Sequence, residues 1–172
     1  MKNKLTFGII GILFITFCAQ PVLIFAGFDN QDSDKLSKES EISRKMISHE
    51  QISTLTNKFM DMIVQDIEED YKVVHYTSKE GLLDDFQKVA TREAAAEYVE
   101  FYFEERENGL YIIPTETPPW FVPDNSYDVI QLGNNQVMIK QVNQSPLYGK
   151  YSIQFDFTYS EEGWRITQIK HN

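Results

Sequence analysis

The chain has 172 residues, a formal net charge of -10 and 13% aromatic residues, enough for one ordinary domain with an aromatic-rich core plus a targeting segment. Such acidity excludes nucleic acid as a partner, because phosphate contacts need concentrated Lys and Arg, and it disfavours adsorption to anionic lipid. Cys18, the single cysteine, lies in the N-terminal apolar run, so the domain downstream has no disulfide, no thiolate nucleophile and no cysteine zinc site.

Lys2 and Lys4 precede an apolar run from Leu5 to Phe28 that contains no acid. A basic start followed by such a run reads as an export signal over residues 1–26, cleaved after Ala26 or retained as a signal anchor. Phe17 is too large to precede a lipidated Cys18. Both readings place the domain outside the cytoplasm, secreted or held at the outer face of the membrane, with the membrane touched only by this segment. Residues 27–47 are polar, without a hydrophobic period, and read as a flexible tether. Asp29, Asp32 and Asp34 lack the glycine and the closing glutamate of a calcium loop.

The domain spans 48–172. Ser48 and Gln51 form a capping box, and Ile52, Leu55, Phe59, Met62, Ile63 and Ile67 recur at helical spacing, predicting a first helix that ends near Glu68-Glu69-Asp70. Thr77-Ser78-Lys79-Glu80 opens a second helix, with Leu82, Leu83, Phe86, Val89 and Ala90 inward. Thr91 caps a third, whose buried stripe is Ala95, Tyr98, Val99 and Tyr102, widened by Ala94 and Phe101, and which Asn108-Gly109 closes.

Beyond Gly109 the period becomes strand-like. Leu110 to Ile113 reads as a first strand, and 114–125 as a structured loop whose four prolines cannot sit in a central ladder. Tyr127 to Leu132 and Gln136 to Val142 flank the turn Gly133-Asn134-Asn135. Tyr151, Ile153, Phe155, Phe157 and Tyr159 then alternate with polar residues, giving a strand with one apolar face. Glu161-Glu162-Gly163 turns it into a last strand, Trp164 to Ile169. Asn143-Gln144-Ser145 fits the glycosylation sequon, a motif short enough to arise by chance.

Three helices followed by this antiparallel meander, ending in Gly163-Trp164-Arg165-Ile166, resemble the NTF2-like superfamily, and are similar to small exported uncharacterised proteins of Gram-positive bacteria. The resemblance covers roughly Ser48 to His171. It implies an α+β cone in which three N-terminal helices pack on a bent antiparallel sheet of four to five strands. It implies little about function, since that superfamily holds enzymes and non-catalytic modules alike.

Enzymes of that shape place an Asp, His or Tyr inside the cone, and the polar residues to consider here are His75, Tyr76, Tyr111 and Asp156. Asp156 alternates with the aromatic face and should point away from the core. His75 can reach a cavity rim, but a lone histidine is more often structural or exposed. His49 and His171 lie at the domain's ends without an acidic partner at ligand spacing. No catalytic set, metal site or cofactor is therefore assigned. Trp120 and Phe121, stiffened by Pro118, Pro119 and Pro123, fit interface anchors; the competing and favoured arrangement has them folded back to plug the cone. Trp120, Phe121, His75 and Tyr111 are thus the ligand or partner residues to follow. The expected function is an exported non-catalytic binding or accessory domain for an extracytoplasmic protein, with a homodimer allowed; the alternative is a carrier or enzyme that takes a small apolar ligand in the cone.

Overall fold

The computed structural model describes residues 46–172; residues 1–45, to which the expected export signal and most of the expected tether belong, lie outside the described residues. Three helices come first: α1 (His49–Ile63), α2 (Lys79–Phe86) and α3 (Arg92–Tyr102), with a single 3-10 turn, Glu69–Tyr71, between α1 and α2. Two antiparallel sheets follow. One is a hairpin of β1 (Phe103–Arg106) and β2 (Gly109–Ile112). The other is a bent four-stranded meander of β3 (Asp128–Gly133), β4 (Gln136–Ser145), β5 (Gly149–Ser160) and β6 (Gly163–His171), in that spatial order.

Each helix starts where a short polar side chain can take an orphan amide. Ser48 and Gln51 make the reciprocal box at α1, the Ser48 hydroxyl accepting from Gln51 N at 3.2 Å. Ser78, not Thr77, caps α2, accepting from Gly81 N at 3.2 Å; Glu80 pairs with Arg92 instead of closing a box. Thr91 accepts from Ala94 N at the start of α3. The stripes Ile52, Leu55, Phe59 and Ile63 on α1, Leu82, Leu83 and Phe86 on α2, and Ala95, Tyr98, Val99 and Tyr102 on α3 are buried against Ile153, Phe155, Phe157, Trp164 and Ile166 of the meander.

Four sequence expectations need correction. α1 stops at Ile63, short of Glu68: Ile67 is exposed and bridges Val73, and the carboxylates from Asp66 to Asp70 would crowd the negative end of a longer helix. α3 stops at Tyr102, because Phe103 reaches the core in an extended conformation (φ -128°, ψ 144°). Glu107-Asn108 is then the two-residue turn of a hairpin in which Arg106 faces Gly109, whose φ of 143° suits only glycine. The strand at Leu110 to Ile113 therefore pairs with β1 and does not join the meander. Phe101, expected to widen the buried stripe of α3, is 62% exposed.

β5 and β6 leave their simple register between Asp156 and Phe157: Phe155 faces Ile169 and Asp156 faces Gln168, but Phe157 faces Ile166. Thr167 is thus the extra residue of a bulge, which lets Ile166 and Ile169 both share the apolar face although they are three residues apart.

Candidate functional site

The loop between β2 and β3 is fastened across the inner face of the sheet rather than left at the surface. Phe121 is buried at 5% exposure and Trp120 is half-buried. The Trp120 ring lies 5.4 Å from Phe59 in a near-parallel stack, and is edge-to-face with Phe155 at 5.1 Å and Tyr98 at 6.0 Å. Its Nε1 donates to Thr56 O at 3.0 Å. Trp120 therefore fills the space between α1, α3 and β5, a geometry in which each aromatic pair adds to the area it buries.

The loop's backbone polar groups are met by side chains that alternate onto the inner face of β4. Gln141, 1% exposed, accepts from Val122 N and donates to Val122 O, both at 2.8 Å, and donates to Asn125 O at 3.1 Å. Asn143, also buried, donates to Gln141 Oε1 at 2.9 Å and accepts from Asn125 Nδ2 at 2.8 Å. Three tyrosines complete the fastening: Tyr151 donates to Trp120 O at 2.9 Å, Tyr102 to Glu116 O at 3.3 Å and Tyr148 to Thr117 O. Buried and doubly engaged, the Asn143 amide offers no acceptor for a glycan.

Outside this plug lies a groove of about 350 Å³, between the exposed side of α3, Pro118 and the end of β6. Glu97 and Phe101 stand one turn apart on α3. Tyr98 and Tyr102 form the floor beside them, and Ile169 and His171 close the far wall. The Tyr98 hydroxyl meets His171 Nε2 at 2.7 Å. Burial pushes the Tyr98 phenol well above its usual pKa, with Tyr102 and Glu97 adding smaller effects. His171 is exposed overall, but its ring is partly desolvated against Tyr98 and Trp120, and this lowers its pKa. At neutral pH the pair is an uncharged hydrogen bond, in which the Nδ1–H tautomer of His171 makes the tyrosine the donor. It positions the groove wall; neither member is poised to lose or gain a proton near pH 7.

Of the other residues singled out in the sequence, His75 and Tyr76 line one pocket with Asp61, Met62 and Asp66, while Tyr111 and Asp156 stand apart. His75 is exposed, with Nε2 3.8 Å from Asp66 Oδ2, and is not among the residues that line the groove. Tyr111 is buried in the hairpin, its ring under the Arg106 guanidinium at 4.2 Å. Asp156 stands on the outer sheet face, accepting from Gln154 Nε2 at 3.0 Å. Tyr76 donates to Asp85 Oδ2 at 2.7 Å, and burial followed by that bond raises its pKa to about 12. No cluster of three His, Cys, Asp or Glu side chains suited to a metal ion occurs among the described residues.

Sequence reasoning missed Glu97, Phe101 and His171 as a set. The i, i+4 spacing of Glu97 and Phe101 was visible, but nothing in the chain order announces that the end of β6 returns to that turn of α3. Comparison with protein-family models and with curated proteins returns no match for this chain. The fold itself defines an α+β domain.

Proposed function

We propose that this chain is an exported, non-catalytic binding or accessory domain of NTF2-like shape, which recognises an extracytoplasmic partner through the groove beside Phe101. The observation that carries the reading is the position of Trp120. An indole stacked on Phe59 and crossed by Phe155, with its N–H satisfied by Thr56, occupies the space a small apolar ligand would need between helices and sheet. Recognition then falls to the surface, where contiguous apolar patches mark interaction sites. Phe101 forms one with Tyr102, Pro118 and Ile169 around the groove, beside the uncharged Tyr98–His171 pair.

The test is site-specific photo-crosslinking on intact cells. A benzophenone amino acid at position 101 should give a discrete adduct with an extracytoplasmic protein, and the same group at Thr158 on the outer sheet face should not. Equal labelling from both positions, or an adduct with a cytoplasmic protein, overturns the reading. Stoichiometric uptake of an apolar dye with quenching of tryptophan emission would move the function to a carrier that opens at Trp120.

A further inference from the structure

The groove is lined by one carboxylate, Glu97, and by no lysine or arginine; its one basic side chain is His171. Glu97 is exposed, and no Lys, Arg or His among the described residues lies within ion-pair distance of it. Glu93, one turn earlier on α3, is likewise unpaired, whereas Glu100 and the α2 carboxylates Glu80, Asp84 and Asp85 are each paired with a lysine or arginine. One turn further along α3 is Phe101, its ring held nearly perpendicular to that of Tyr102 at 4.8 Å. Residues i and i+4 of a helix share a face with their Cβ atoms about 6 Å apart, so a carboxylate and an aromatic ring address the same small volume. His171, on the opposite wall, is neutral at pH 7 and does not repel a cation. The chain as a whole carries -10, which draws cationic partners in by steering.

From this arrangement, and resting on the binding reading above, we infer that the groove takes an arginine side chain presented by a partner protein. A guanidinium is planar, so it can stack on the Phe101 ring while two of its N–H groups fork onto the Glu97 carboxylate; a lysine ammonium can do only one of these well. The aliphatic stem would lie along Ile169 and Tyr102. A volume of about 350 Å³ suits one long side chain, at the lower end of ligand pockets. The groove is open and Phe101 is mostly exposed, so a free small cation would stay largely wet. Flanking residues on a partner's chain would instead cover the ring.

The test uses the full-length chain in a nonionic detergent and three probes: the peptide acetyl-Gly-Leu-Arg-Leu-Gly-amide, the same peptide with citrulline in place of arginine, and arginine amide alone. Citrulline keeps the shape and removes the charge. Binding is read from shifts of the Glu97, Phe101 and His171 resonances. The arginine peptide should bind about tenfold more tightly than the citrulline peptide, as a charge-assisted bond over an aromatic face implies. Glu97→Gln should bring the arginine peptide down to the citrulline level and leave the latter unchanged, and Phe101→Ala should weaken both. Raising the salt should narrow the gap between the two peptides.

Equal binding of the two peptides would overturn the arginine assignment while leaving a peptide-binding groove in place. Arginine amide binding as tightly as the peptide would overturn the protein source. No shift at these residues with any probe would overturn the assignment and count against the groove itself.

Discussion

At the scale of single residues, Phe155 and Trp120 carry the most consequence. Phe155 is fully buried on the inner face of β5 and touches Trp120, Phe121 and Phe157. Phe155→Ala should destabilise the chain by about 3–5 kcal/mol, through lost burial and the cavity left behind. Thr158, whose Oγ1 meets Thr167 on the outer face, should cost under about 1 kcal/mol when changed to alanine. Similar losses for the two in denaturant titrations would contradict the register observed here. Trp120→Ala should cost about 3–5 kcal/mol, and Trp120→Phe less, since it keeps the stack on Phe59 and forfeits the bond to Thr56. A loss under about 1 kcal/mol for Trp120→Ala would mean the plug is not packed in solution. The alternation Tyr151 to Tyr159 made Phe155 legible as core from sequence alone. Trp120 was ambiguous there, because proline stiffness serves an outward anchor and an inward plug equally well.

At the scale of elements, β4 does two jobs with one face. Its inner side runs Val137, Ile139, Gln141, Asn143, apolar where helices cover it and amide-bearing where the proline loop does. Gln141→Leu puts an apolar side chain of similar bulk in place of the amide and strips partners from Val122 N, Val122 O, Asn125 O and Asn143 Nδ2. A buried, orphaned polar group costs roughly 1–3 kcal/mol. The substitution should therefore lower stability by about 2–4 kcal/mol and speed amide exchange at Val122 far more than at Phe155, measurable by hydrogen exchange. Uniform acceleration of both amides would mean that Gln141 supports the whole sheet rather than the loop.

The four strands of the meander were readable from the period of two, and two of its turns from Asn134-Asn135 and Gly163; β1 and its turn were not. The helix ends were not. Ile67 and Phe101 continue helical spacing in sequence, yet tertiary pairing takes Ile67 into a bridge and leaves Phe101 in water. Glutamine and asparagine on a strand likewise look like solvent-facing residues until the loop they satisfy is known.

At the scale of the whole molecule, the groove ties the third helix to the last strand through the Tyr98–His171 bond, so the protonation state of one ring bears on global stability. Desolvation holds the folded-state pKa of His171 below its ordinary value of 6.5. The unfolded chain therefore binds more protons than the folded one as pH falls through that region, and stability decreases as protons are added. The contribution is fully present above about pH 6.5 and is lost as the pH drops through the lower, folded value. Asp85 has its pKa lowered by Lys88 and then Tyr76, so its stabilising effect fades only below the usual carboxylate value of 3.8, and the two windows are separable. His171→Gln removes the titrating ring and leaves a carbonyl able to accept from Tyr98. The variant should be a little less stable than the parent at pH 7.5. It should then lose less on going from pH 7.5 to 5, so that the two melting curves converge. Melting temperatures taken at half-unit steps across that range decide the matter. Parallel curves would mean that His171 is solvated like a free histidine and that the wall it forms is open to water. A gap widening toward acid would require the protonated ring to be the favoured partner of Tyr98, reversing the donor and acceptor roles assigned to the pair.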